Sequence, residues 1–280
     1  MDATPLVPLD GLDSGLFGKV EFRHPSGSMK HRSIPAFLEE RMASGVLRPS
    51  QPLIVHSAGA AAVTTAWAGA RMGCPVHAII PRNSATGVVE LLRWLGAEPH
   101  AVASREAPAF IAELQRTHDA WFLDQFGEPA LIDHYRVVSS ELVSQLPDIE
   151  AVVVGMGTGV SITGIGREMR RLRPSCRVIG VEPAECQLST GAPWAPHRIS
   201  GLAPPMPKPL LDSSVIDEVI AVSSDEAWAQ ARTLARRDGL LAGPSAGATL
   251  AAALRLREQH GLRRIVAILG GSISELLGSH

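Results

Sequence analysis

The chain reads as an α/β protein with two open, mainly parallel twisted sheets flanked by helices, and three features predict this. Short apolar runs without polar alternation, such as residues 52–55 (PLIV), 76–80 (VHAII) and 151–154 (AVVV), have the signature of strands buried on both faces. Segments of helical length and spacing separate them, as parallel βα units require. The alternation runs as two series, one over about residues 33–125 and a second from residue 151 to 269.

Taken in order, the first twenty residues are punctuated by Pro and Gly and read as an extended arm leading into a short strand at 19–22. The first series then predicts a helix at 33–43, a strand at 52–55, a loop at 56–60 and an Ala-rich helix up to Met72. Strands at 76–80, 100–102 and 121–123 alternate with helices at 87–95 and 107–117. The second series predicts strands at 151–154, 177–181, 218–222 and 265–269, and helices at 162–172, 225–237 and 245–259. Residues 183–211, which include PPMPKP, are too long for an ordinary connection and are expected to form a functional flap. The expected division is a large domain of residues 1–22 plus 127–280 and a smaller one of residues 23–126.

Composition narrows the function. With 280 residues, 45% of them hydrophobic, a sizeable core forms without a membrane. No stretch resembles a signal peptide and none is long enough to span a bilayer, so a cytoplasmic protein without a membrane partner is expected. A net charge of −2 supplies no extended basic field, and the cluster Arg167, Arg170, Arg171 and Arg173 is local; no nucleic-acid partner is expected. Cys74, Cys176 and Cys186 are odd in number and lack CxxC spacing, which argues against a disulfide framework and a zinc site. No metal is expected.

Four segments carry chemistry. The stretch KVEFRHPSGSMKHR, Lys19 to Arg32, is a strand, a Pro-Ser-Gly-Ser turn and a lysine entering a helix. An amine held there in a dry pocket can lose its proton and attack an aldehyde, although such a turn also serves plain helix capping. Gly155-Met156-Gly157-Thr158-Gly159 follows an apolar strand and opens a helix, so backbone N–H groups and the helix dipole converge on a site suited to a dianionic phosphate. A dinucleotide turn is the rival, with Glu182 in the ribose-binding position, but the motif lies in mid-chain. Gly243-Pro244-Ser245-Ala246-Gly247 precedes a helix that Ser245 would N-cap. The loop from His56 to Ala62 lies between a strand and a helix, where main-chain N–H groups can receive a carboxylate; His56 reads as structural.

These segments resemble those of one family. KVEFRHPSGSMKHR is similar to the EFLNPSGSxKxR segment of fold-type II pyridoxal phosphate enzymes, the cysteine synthase and cystathionine β-synthase family with its tryptophan synthase β-like fold, in which the lysine carries the cofactor as a Schiff base. Gly157 to Gly164 resembles GTGGTxxG, with Ser161 in place of a threonine and Val160 in place of a glycine, and Val181-Glu182-Pro183 matches the family's VEP. The Val160 exchange is expected to reshape the loop if that position has a positive φ. The Ser245 segment is similar to GxSSG, whose first serine hydrogen-bonds the pyridine nitrogen. HSAGAAA occupies the place of TSGNTG: Ser57 and Gly59 keep their types while Ala60, Ala61 and Ala62 replace Asn, Thr and Gly. Gln125 matches the glutamine of QFxNPAN, where Glu128 replaces asparagine, and His197 to Leu202 resembles the HKIQGI flap. The family's usual C-terminal tail is expected to be short or absent.

The resemblance implies Lys30 as the catalytic residue. It implies cofactor contacts from Lys30, Gly157, Thr158, Gly159, Ser161, Ser245 and Gly201, and substrate contacts from Ser57, Ala58, Gly59, Ala60 and Gln125. It further implies pyridoxal 5'-phosphate as cofactor, a homodimer, and an amino-acid substrate with a nucleophile as small-molecule partners. The activity implied is β-replacement on an activated serine-type amino acid through an α-aminoacrylate, with a specialised donor or nucleophile because of the alanines. Three alternatives stay open: β-elimination by a dehydratase-like or desulfhydrase-like lyase, a catalytically weakened partner protein, and a nucleotide binder using the glycine turn alone.

Overall fold

A computed structural model of the chain describes residues 3–11 and 14–272. Two sheets organise it. The larger has six strands: β1 (Leu6–Pro8), β2 (Leu16–Val20), β7 (Ala151–Gly155), β8 (Arg177–Pro183), β9 (Glu218–Val222) and β10 (Ile265–Leu269), in the order β1-β2-β10-β7-β8-β9. Only β1 runs antiparallel to its neighbour. The smaller sheet is parallel throughout and contains β3 (Leu53–His56), β4 (Val76–Ile80), β5 (Glu98–Ala101) and β6 (Trp121–Leu123), in the order β5-β4-β3-β6.

Continuous apolar strands are explained by what covers them. On β7, Val152 and Val154 pack with Val138 and Leu142 of α5 (Arg136–Gln145) and with Ile162, Ile165 and Met169 of α6 (Val160–Leu172). The alternate residues Ala151 and Val153 pack with Ala227 and Leu234 of α7 (Ser224–Arg237) and Ala246, Leu250 and Ala253 of α8 (Pro244–His260). Neither face meets water, so polar alternation is absent. The smaller sheet repeats the scheme. Leu53, Val55, Val76 and Ala78 share a core with Ile34, Phe37 and Leu38 of α1 (Ile34–Ala43), Ala62 and Ala66 of α2 (Ala60–Met72), and Val88 and Leu92 of α3 (Thr86–Trp94). Ile54 and Ile79, on the opposite face, meet Ala107, Ile111 and Leu114 of α4 (Ala107–His118).

The structure departs from the sequence reading in specific places. The N-terminal arm is a β-hairpin: β1 pairs with β2, which begins at Leu16 and ends at Val20, earlier than the expected strand at 19–22. Glu21–Arg23 instead form a 3-10 turn. α5 was not expected, because only Val138, Ser139 and Leu142 of its ten residues are buried and the inward stripe is short. The expected strand at 100–102 runs from Glu98 to Ala101.

α5 matters because it completes a buried ionic network. Lys19 Nζ donates to Thr4 O at 2.8 Å, Glu141 Oε2 at 2.5 Å and Gln145 Oε1 at 2.8 Å. Arg32 donates from Nε and Nη2 to the two oxygens of Glu21 at 2.9 and 2.8 Å, and from Nη1 and Nη2 to those of Glu141 at 2.5 and 2.8 Å. Thr4 Oγ1 adds a 2.6 Å bond to Glu21. Lys19 and Glu21 are fully buried and Arg32 nearly so. Burial alone would raise the Glu21 carboxyl, but the hydrogen bonds and charge of Arg32 outweigh it and hold the group down to about 2.

Removing one partner of a buried pair leaves a charge uncompensated, so Glu21→Gln is expected to lower stability at pH 7 by about 3 kcal/mol, read from the urea midpoint. The sign with pH follows from the lowered carboxyl. Its contribution is complete above the ordinary value of 4.5 and is lost as pH falls towards about 2, so wild type and variant converge over that window.

Candidate active site

Because β2, β10, β7 and β8 run parallel, the chain leaves all four from the same end of the sheet. β2 leads to the turn that carries Lys30, β10 to residues 270–272, β7 to the glycine turn and β8 to the long flap. Ligands of open α/β sheets sit at this end.

Lys30 lies in a short 3-10 helix, Met29–Arg32, rather than in the first turn of α1. Ser28 Oγ accepts from the Lys30 backbone N–H at 3.2 Å, so the capping expected of this turn is present as well. The turn is fastened from behind: Met29 N donates to Gly270 O at 2.8 Å and Ser272 N to Gly27 O at 3.2 Å. Gly243 N donates to Gly271 O at 2.9 Å, which ties the N-terminus of α8, and with it Ser245, to the same segment. His31 packs its ring 4.5 Å from that of Trp67 on α2, and Thr64 Oγ1 donates to Ser26 Oγ at 3.0 Å. Lys30 thus sits between the opening of α8 and the flank of α2.

Among the described residues, the Lys30 amine meets no counter-charge. Burial alone pushes it down to about 8, whereas Lys19, also lowered by burial, keeps Glu141 beside it. A lysine without a counter-charge among the described residues, lowered to about 8 by burial, is more readily deprotonated than a surface lysine and has the properties of a nucleophile or base. Ser245 is the second residue of α8 and does not cap it; the N-cap is Gly243, with Pro244 at the first helical position. Its half-buried hydroxyl makes no hydrogen bond among the described residues.

The glycine turn ends at Gly159, whose φ of 90° is left-handed, and α6 starts at Val160. Val160 has no positive φ, so the condition for reshaping the loop is not met: the left-handed position falls on Gly159. The first N–H groups of α6 have no intrahelical partner, and Thr158 and Ser161 stand beside them. A Cβ at Gly157 would lie 2.4 Å from Gly201 O, so the flap crosses directly over the turn. Ala203 N donates to Met156 O at 2.9 Å, and Leu202 packs on Gly155. The flap also reaches the smaller sheet, where a Cβ at Gly59 would lie 3.9 Å from Ser200 Oγ. Gly157, Gly159, Gly201 and Gly59 are thereby drawn to one crossing.

The loop after β3 is partly as expected. Ser57 Oγ accepts from Gly59 N at 3.3 Å, and Gln125 Nε2 donates to His56 O at 3.3 Å, so Gln125 stands against this loop. Ala58 is exposed and Ala60 half-buried, but Ala61 and Ala62 are buried in the core behind α2. The sequence reading counted three alanines against the pocket, and burial reduces that number to Ala60. His56 is held below the ordinary histidine range by burial.

Two rival features are consumed by the fold. The buried Glu182 carboxylate accepts from Ser189 N at 3.1 Å and from Ser189 Oγ, bracing the flap instead of facing a ribose. Arg167, Arg170 and Arg171 pair with Asp212, Asp217 and Glu168 at 2.9, 2.7 and 2.6 Å. Two surface depressions on outer helices, one lined by Asp133, Arg136 and Arg171 and one by Arg82, Phe110 and Glu113, include none of Lys30, Ser57, Gly157 or Ser245. No helix among the described residues is long and apolar enough to cross a membrane.

The donor set fits pyridoxal phosphate. It combines a near-neutral amine for the aldehyde, unpaired helix N–H groups beside a close glycine approach for the phosphate, and a free hydroxyl at the opening of α8 for the ring.

Comparisons with known proteins agree. Residues 2–271 match the model of the pyridoxal-phosphate dependent enzyme family. Cysteine synthase 3 of Caenorhabditis elegans is 32% identical over 265 residues, covering 90% of this chain and 79% of that protein. O-ureido-L-serine synthase of Streptomyces lavendulae is 30% identical over 265 residues, covering 91% and 82%. A crystal structure of O-ureido-L-serine synthase superposes with a TM-score of 0.94 at 28% identity, covering 98% of this chain and 90% of that one. The chain therefore belongs to the fold-type II pyridoxal-phosphate-dependent enzymes of the cysteine synthase family.

Proposed function

We propose that this enzyme carries out β-replacement on an activated serine, an amino acid with an acyl or phosphoryl ester at its β oxygen, using a small sulfur or nitrogen nucleophile. The observation that carries the reading is the Lys30 amine, lowered to about 8 by burial with no counter-charge among the described residues, on a turn hydrogen-bonded to the 270–272 segment that also holds the start of the Ser245 helix. The names of the relatives, a cysteine synthase and an O-ureido-L-serine synthase, support the same reaction class.

Pyridoxal phosphate, when bound, supplies an electron sink for charge developing at the substrate α carbon. Lys30 Nζ would hold the cofactor, and the same amine would serve as the base that takes the substrate α proton and returns it to that carbon. The amides of Thr158, Gly159 and Ser161 and the positive end of α6 would bind the phosphate, with Gly157 allowing the backbone close approach. Ser245 Oγ would hydrogen-bond the ring nitrogen without protonating it as an acid would, which would favour loss of the β substituent over transamination. The amides of Ser57, Ala58, Gly59 and Ala60 receive the substrate carboxylate, with Gln125 at their side. The flap at Gly201 covers the turn and excludes water. Ala60 offers a methyl group where the family's asparagine side chain would contact the cofactor's phenolic oxygen, so donor or nucleophile is specialised. Residues 1–22 with 127–280 form the phosphate-binding domain and residues 23–126 the substrate domain. The enzyme works as a cytoplasmic homodimer.

Purified enzyme with a panel of O-substituted serines and nucleophiles tests this reading: the new β-substituted amino acid is the expected product by mass spectrometry. Pyruvate as the sole product, with nucleophile present, would assign elimination instead. Ordinary efficiency with O-acetylserine and sulfide would remove the case for a specialised member.

Lys30→Ala is expected to lower kcat by roughly 10³-fold or more, within the range of a lost general base, and to leave no pyridoxyl adduct after borohydride reduction. In wild type the rate of cofactor attachment should rise with pH to a midpoint of about 8, since only the neutral amine attacks.

Gly157→Ala places a methyl group 2.4 Å from Gly201 O, a backbone atom that yields only if the flap moves. Cofactor affinity is expected to fall about tenfold by absorbance titration, with about 1–3 kcal/mol of lost stability from overpacking.

A further inference from the structure

Cysteine spacing argued against a metal in this chain, but the histidines of the smaller sheet form a different set. β4 and β5 run parallel with His77 opposite Glu98, and His100, two residues beyond Glu98, projects to the same face. This is the face that α4 covers, since Ile79, two residues beyond His77, packs against Ile111 and Leu114. His100 lies against Phe110 of α4 with ring centroids 5.1 Å apart, and the His77 ring is 5.3 Å from that of His118 at the end of the same helix.

The three polar ends converge. His77 Nδ1 is 3.0 Å from His100 Nε2 and 3.3 Å from Glu98 Oε2, and His100 Nε2 is 3.8 Å from Glu98 Oε1. A metal bond of about 2.0–2.1 Å at tetrahedral angles spaces its ligand atoms about 3.3–3.4 Å apart, within the span of these separations. A proton on His77 Nδ1 can serve one neighbour fully, whereas a dication serves all three lone pairs at once. His77 is buried and fixed by the sheet, while the exposed Glu98 leaves an entry path.

We propose that His77, Glu98 and His100 form a binding site for a divalent transition-metal ion of the zinc class, with its fourth position open to water. Two imidazoles and one carboxylate suit that class. His77 pairs in register with Ile54, two residues before His56, so the site lies towards the beginning of the strands and the substrate loop at their end. The ion joins the edge strand β5 to β4 and takes no part in the chemistry at Lys30.

The test uses tag-free, cofactor-loaded enzyme, stripped with chelator and titrated with Zn²⁺ against a chromophoric competitor. Wild type is expected to bind one zinc ion per chain at micromolar concentration or tighter, with a rise in melting temperature. Partners outside a ligand set are already worth about 10–100-fold in affinity, so removing two ligands with His77→Gln/His100→Gln should cost at least about 100-fold. Retained visible absorbance of the bound cofactor reports that the double variant is folded; should it not fold, the exposed single substitution Glu98→Gln decides, with an expected loss of about tenfold or more. Wild type that binds no zinc at these concentrations, or binding unchanged by the decisive substitution, overturns the proposal. X-ray absorption with two imidazole nitrogens in the coordination shell supports it.

Discussion

The buried network of Lys19, Glu21, Arg32 and Glu141 is the constraint on which the rest of the molecule depends. Two cations and two anions are withdrawn from water, which costs several kcal/mol per ion unless nearly every donor and lone pair finds a partner. Here the two carboxylates share Arg32, and Lys19 adds Thr4 O and Gln145 to its contacts. Three of the four side chains come from a single stretch of fourteen residues, Lys19 to Arg32. Its ends are clamped together, and the Pro-Ser-Gly-Ser turn between them is held out over the end of the sheet.

Lys30 is the residue that benefits. It stands two positions before Arg32, so the network fixes its backbone without supplying it a counter-charge. The two lysines of this stretch show how neighbours decide chemistry. Lys19 is lowered by burial but pairs with Glu141, whereas Lys30 is lowered by burial and faces no counter-charge among the described residues. Around that amine, parallel strands bring sequence-distant turns to one end of the larger sheet, and the flap ties the glycine turn to the loop after β3 through Gly201 and Ser200. The fasteners of that flap are ordinary polar contacts: Ala203 O accepts from Trp194 Nε1 at 3.1 Å, and Thr163 Oγ1 donates to Leu210 O at 2.9 Å.

Much of the fold was legible because burial on both faces leaves an unambiguous mark. β4, β7 and β10 are apolar at nearly every position, so their existence and approximate limits follow from residue type. α5 was illegible for the opposite reason, since a helix that buries three of ten residues has almost no stripe to detect. β2 begins before the expected strand at 19–22, at Leu16, and ends at Val20, where a 3-10 turn takes over. The motifs at Gly157, Ser245 and Lys30 were legible as turns between elements, but the reading of Ser245 as a cap failed. Helix starts are set by backbone geometry, and Pro244 moved this one back to Gly243.

The sequence by itself determined which segments become strands and which turns carry glycine, because these follow from side-chain shape, φ preference and local order along the chain. Only the tertiary structure decided that Lys19 is paired and Lys30 is not, that Ala61 and Ala62 face the core while Ala60 stays at the loop, and that His77, Glu98 and His100 meet. Charge state, exposure and ligand geometry depend on what the rest of the chain places within a few ångströms, and no neighbour in sequence can supply that.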